Sequence, residues 1–195
     1  MKNLITLFAM LFIPFISFAQ YVEFDWIEDD GRRQITSYER KEIFEGIKYY
    51  FSLNAVEKNN IVDYCILVSS FNYIPDNAKI LIKLNGGEII DLSASDRMIE
   101  SNKSTTYYTY MIGNSAFTSP INSNSKDVYV GVFDITEEQL EKIKIFGITK
   151  LRISSRSSYF EKSYKNNALG EFLTHCWYYI DQRVKTEVKS IYKDF

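Results

Sequence analysis

Histidine is almost missing from this 195-residue chain. The single copy, His175, excludes multi-histidine metal sites and histidine relays. Cysteine is nearly as scarce, and Cys65 and Cys176 cannot build a four-thiolate zinc site or a disulfide-dense scaffold. Charge of one sign is lacking too: 23 basic against 25 acidic residues leave a net −2. That balance gives no basic footprint for nucleic acid and no acidic tail. With only 8 glycines and 3 prolines the chain is not of low complexity or disordered composition. No glycine-rich phosphate loop, no Gly-x-Ser-x-Gly elbow and no Cys-x-x-Cys is present. What is plentiful is aromatic surface, with 15 tyrosines and 14 phenylalanines.

The first residues read as an export signal. A basic start, Met1-Lys2-Asn3, precedes an uncharged apolar run over residues 4–18, and Ser17-Phe18-Ala19 has small residues at −3 and −1 of a cleavage site. The run falls short of the ~20 residues that span a bilayer and is interrupted by Pro14. Cleavage is expected after Ala19, giving a signal peptide over 1–19 and a single domain over 20–195. Loss of 19 residues, Lys2 among them, leaves 176 residues at net −3. No cysteine follows the cleavage point for lipid attachment, and no later segment is apolar enough to span a membrane. A periplasmic or secreted location is the expectation.

Downstream the apolar period is two. Ile47, Tyr49, Phe51, Leu53 and Ala55 alternate with polar positions, and Val62, Tyr64, Ile66 and Val68 supply the next apolar face. A hairpin is expected there, and a second around Asn85-Gly86 between Ile80–Leu84 and Glu88–Leu92. Residues 21–33 read as a lead-in with at most a short strand. Two further strands, 105–112 and 127–135, are separated by a polar connection over 113–126, a length that is often mobile or functional.

The period then changes. Thr136 with Gln139 forms a capping-box signature for a helix near 136–146, stopped by Gly147. After a strand at 149–155, Leu169, Phe172, Leu173, Cys176, Trp177, Ile180 and Val184 mark one stripe of a long helix near 167–188. Such a stripe is stable when buried, so the helix should lie on a sheet. The expected fold is α+β: a predominantly antiparallel meander with one short and one long C-terminal helix. The signal style, the run Phe133–Leu140 and the strand Gly147–Ile153 are similar to a pattern in small exported proteins of Bacteroidetes bacteria. That resemblance spans roughly residues 78–190 and implies a strand, a short helix and another strand closing a β-rich domain, with no activity attached. A sheet closed by a C-terminal helix also resembles pleckstrin-homology-like barrels.

The candidates for chemistry are few. His175 falls off the apolar stripe, and it points about 100° away from its neighbour Cys176, so the two make no nucleophile–base pair. Cys65 and Cys176 are either a bridge, closing a loop of about 110 residues worth on the order of 4–5 kcal/mol, or two buried thiols. Glu23, Asp25, Glu28, Asp29 and Asp30 gather near Trp26, and paired carboxylates suit glycoside hydrolysis. Tyr107, Tyr108 and Tyr110, with Phe117 in the polar connection, are the candidates for a contact surface, since outward aromatics stack sugars or anchor partners. Strand propensity accounts for the same tyrosines. No metal and no cofactor is expected. The function expected is non-catalytic binding of an envelope protein or glycan. The alternatives are a small carboxylate-dependent hydrolase of envelope polymers and an inhibitor or immunity-type protein.

Overall fold

A computed structural model describes residues 22–59, 61–72, 74–75, 77–95, 99–101, 107–112, 115–120, 128–154 and 158–185, with only the backbone described over 99–120. The signal expected at 1–19 lies outside the described residues, as do 113–114 and 121–126 of the polar connection.

The fold is α+β and predominantly antiparallel. A large sheet holds β1 (Val22–Ile27), β2 (Arg33–Ser37), β4 (Ile47–Lys58), β5 (Ile61–Ser70), β11 (Val128–Ile135) and β8 (Ile99–Ser101) in that order, with β3 (Arg40–Phe44) also paired to β4. A four-stranded sheet has the order β13 (Tyr159–Ser163), β12 (Ile148–Ser154), β6 (Lys79–Leu84), β7 (Ile89–Ser93). A separate ribbon pairs β9 (Tyr107–Ile112) with β10 (Ser115–Pro120). The helices are α1 (Glu137–Phe146) and α2 (Ala168–Lys185).

The expected hairpin of β4 with β5 forms over ten residue pairs. A single sequential meander does not: β5 takes β11 as its other neighbour, and the intervening β6 and β7 join the second sheet. The lead-in also holds more structure than its acidic sequence suggested, because β1 and β2 pair through a turn at 28–32. Arg32 closes that turn on Glu28 and Asp30. The polar connection is corrected as well. It contains β10, where Ser, Ala, Thr and Pro surround the single Phe117, an apolar pattern too weak to mark a strand.

Turn chemistry departs from the dipeptide rule. Glu45 and Gly46 form the two-residue loop between β3 and β4, both at positive φ (+49° and +87°). Asn85-Gly86 instead belongs to a longer connection, whose positive φ falls on Gly87 at +87°. Left-handed backbone is costly for glutamate and mild for asparagine. Glu45→Asn is therefore expected to stabilise the protein by about 0.5–1 kcal/mol, read as a higher urea midpoint at unchanged slope.

The helices follow their sequence signals. Thr136 Oγ1 accepts from Gln139 N (3.2 Å) while Gln139 Oε1 accepts from Thr136 N (2.9 Å), the expected capping box. On α2 the stripe buries Leu169, Leu173, Cys176, Trp177 and Ile180, with Phe172 and Val184 packed at its margin. Asn167 locks the start of α2 to the α1–β12 corner, accepting from Ile148 N at 2.6 Å. One core lies between the first face of the large sheet (Ile35, Phe51, Leu53, Ile66, Phe133), the small sheet (Ile80, Ile82, Leu151) and both helices. A second cluster, Val56, Cys65, Leu67, Val128, Val130 and Val132, lies on the opposite face of β4, β5 and β11.

Candidate functional site

The four aromatic candidates fall on the β9–β10 ribbon. Strand register sets Tyr110 opposite Phe117, Tyr108 opposite Ser119 and Tyr107 opposite Pro120. Period two then assigns Tyr108, Tyr110 and Phe117 to positions of one ribbon face, and Tyr107 to the other. The ribbon is a sheet of its own, with β9 beside β8 and β11 at the rim of the large sheet.

The two cysteines are not brought together. Both are free thiols, and they lie on opposite sides of the large sheet: Cys176 in the core under α2, Cys65 in the second cluster. The candidate bridge is thus corrected, and the physical reason is alternation. Tyr64 and Ile66 face the helix, so Cys65 between them must face away. Burial pushes the Cys176 thiol up to about 12 and raises that of Cys65 too, so neither presents a thiolate at neutral pH. His175 lies exposed on α2.

The N-terminal acids are largely engaged. Arg33 donates from Nε and Nη2 to the two oxygens of Asp25, each at 2.9 Å. Glu28 and Asp30 hold Arg32. Bound to arginines, these carboxylates are poorly placed as a general acid and base. Phe24 and Trp26 meet edge to face at 5.8 Å on the same strand.

A different carboxylate pair stands free of arginine in the described contacts. Where β11 leaves the sheet for α1, an open depression of about 440 Å³ is lined by Val62, Asp63, Tyr64, Asp134, Ile135, Thr136 and Glu137. Crowding by protein, and secondarily the charge of Asp63, hold the Asp134 carboxyl above its usual value although the residue is solvent-exposed. Burial pushes the Tyr64 hydroxyl up to about 12. The signal that could have found this pair is an acid interrupting an otherwise apolar strand, which both Asp63 and Asp134 do. Among the described residues no group of three or more His, Cys, Asp or Glu is arranged to hold a metal ion, and no helix is long and apolar enough to cross a membrane.

A carboxyl raised in the folded state binds its proton more tightly there than in the unfolded chain. Its destabilising effect is absent below the ordinary aspartate range and grows as pH rises through the folded value. Asp134→Asn should therefore raise the melting temperature slightly at pH 7 and leave it unchanged near pH 3. Thermal melts at the two pH values check this.

Comparison with known proteins adds no relative: no protein-family model, no curated protein and no solved structure matches the chain.

Proposed function

We propose that the mature protein is an exported, non-catalytic binding domain that contacts an envelope protein or glycan through the β9–β10 ribbon. The observation that carries this reading is the register that sets Tyr110 against Phe117, with Tyr108 two residues along on the same face. A narrow ribbon outside both main sheets can present aromatics to a partner without disturbing the core. Aromatic anchors dominate contact energetics, and each loss costs of the order of 2 kcal/mol where the residue is a hot spot. The triple variant Tyr108→Ala/Tyr110→Ala/Phe117→Ala should therefore bind purified envelope at least tenfold more weakly in co-sedimentation, at unchanged circular dichroism. Protease-treated envelope separates the partner classes, since a glycan survives the treatment and a protein does not. Equal sedimentation of variant and wild type would remove the ribbon from the account.

One observation favours a second reading, hydrolysis of an envelope polymer at the Asp63–Asp134 depression. A carboxyl whose pKa burial raises beside another acid has the form of an acid–base pair. Under that reading the mature chain releases soluble fragments from envelope polysaccharide and Asp134→Asn abolishes the release. The binding reading expects none from either protein.

A further inference from the structure

We propose that the outward face of the small sheet is a second binding site, a platform for an acidic polysaccharide that stacks a sugar ring on Tyr159 and sets its carboxylates against Arg152, Lys150 and Lys83. It is separate from the β9–β10 ribbon and goes beyond the contact assigned there.

Alternation divides the four strands. Ile80, Ile82, Leu92, Leu151 and Ile153 enter the core. The alternate positions, odd-numbered over 79–83, 89–93 and 159–163 and even-numbered over 150–154, point the other way, and none of these twelve is buried. The face is therefore open. Four cations stand on it, Lys79, Lys83, Lys150 and Arg152, with two carboxylates, Asp91 and Glu161. That is +2 in a chain of net −2.

The aromatic on this face is held in place. Arg152 donates to Glu161 Oε2 from Nε at 3.0 Å and from Nη2 at 2.6 Å, while Lys150 Nζ donates to Oε1 at 2.5 Å. Lys150 and Arg152 hold the Glu161 carboxyl below its usual range, so the network stays ionised at neutral pH. It fixes the Arg152 guanidinium 4.5 Å from the centroid of the Tyr159 ring, yet Tyr159 remains 57% exposed. Its cross-strand neighbour is the small Ser154, which leaves room beside the ring. A side chain already fixed at the surface loses little freedom when a ligand stacks on it.

The surplus charge lies at the other end of the face. Lys150 is opposite Lys83, and like charges so placed repel. Glu161 compensates Lys150 and Asp91 compensates Lys79, whereas Lys83 has no carboxylate partner among the described ion pairs. The ring and the two lysines stand four residues apart along the strands, about 13 Å, so a chain of sugars spans them and a single small anion does not. A polymer can also thread past Asp91 and Glu161, which a continuous anionic lipid surface would meet head on.

Affinity electrophoresis of the full chain in gels containing polygalacturonate tests the site. Saturable retardation is expected, weakening as salt rises, with none in gels of neutral dextran. Tyr159→Ala should weaken it at least about tenfold, and Tyr159→Phe should retain it. Lys83→Glu should weaken it to a similar degree, and because the new carboxylate faces Lys150 this variant keeps its fold should Tyr159→Ala lose its circular dichroism. No retardation by polygalacturonate would overturn the proposal, as would equal retardation of wild type, Tyr159→Ala and Lys83→Glu. Equally tight binding to phosphatidylglycerol vesicles would overturn it too, since the face would then read charge alone. The Tyr108→Ala/Tyr110→Ala/Phe117→Ala variant should be retarded like wild type whatever becomes of the ribbon reading, and its loss of retardation would move the site off this face. Held by exposed charges, the contact drops out of envelope co-sedimentation at high ionic strength, which leaves the ribbon to be measured alone.

Discussion

Phe133→Ala is expected to destabilise the protein by about 3–5 kcal/mol, the range for deleting a fully buried aromatic that its neighbours cannot replace. Phe133 has no exposed surface and lies in the middle of β11, opposite Ile66. Its ring occupies the space over Gly131, where an added Cβ would lie 2.6 Å from Phe133 Cε2 and 3.1 Å from Cζ. Gly131 is thus a steric partner of Phe133 rather than a bend in the strand. Gly131→Ala alone should cost about 1–3 kcal/mol by overpacking. In the Phe133→Ala background the ring is gone, and the same change should become neutral or stabilising, since glycine is a weak strand residue. Urea unfolding of the four proteins gives the coupling directly, and additivity within about 0.5 kcal/mol would contradict the contact.

Removing the two cations around Glu42 is the second large effect. Glu42 on β3 is 3% exposed, and its oxygens accept from Arg40 Nε at 2.7 Å and from Lys162 Nζ of β13. The carboxylate therefore fastens an outer strand of the large sheet to an edge of the small one. Lys162 also stands over the rings of Phe44 and Tyr164, and Arg40 over Phe172. Arg40→Met/Lys162→Met leaves a buried carboxylate without a counter-charge, and about 3–5 kcal/mol should be lost at pH 7. Replacing Glu42 by Met in the same protein should recover most of it, because an apolar trio needs no compensation. The bare carboxyl would have its folded-state pKa raised, so the deficit of the double variant should shrink as pH falls toward the ordinary glutamate range. Chemical denaturation at pH 4 and pH 7 measures both effects.

Much of the architecture was legible because strong local signals agreed with burial. The Thr136/Gln139 box and the α2 stripe needed only side-chain spacing, and both elements form where that spacing put them. The β4–β5 pairing followed from alternation. What escaped was set by partners distant in sequence. β11 beside β5, and β6 with β12 in another sheet, depend on which apolar faces meet. β3 was missed because its turn is Glu45-Gly46, where tertiary pairing holds a glutamate at positive φ. β10 escaped because register, not apolarity, defines it. The candidate site was partly legible in the same sense. The aromatics could be named, but their cross-strand pairing needed β10, and the Asp63–Asp134 neighbourhood needed the β5–β11 pairing.

The central claim is binding without turnover. Equilibrium co-sedimentation of Gln20–Phe195 with purified envelope, with the same supernatants assayed for released polymer fragments, tests it most directly. The account predicts saturable sedimentation that the ribbon variant loses at least tenfold, with no fragments above the protein-free control. Fragment release that disappears in Asp134→Asn, or sedimentation indifferent to Tyr108, Tyr110 and Phe117, would contradict it.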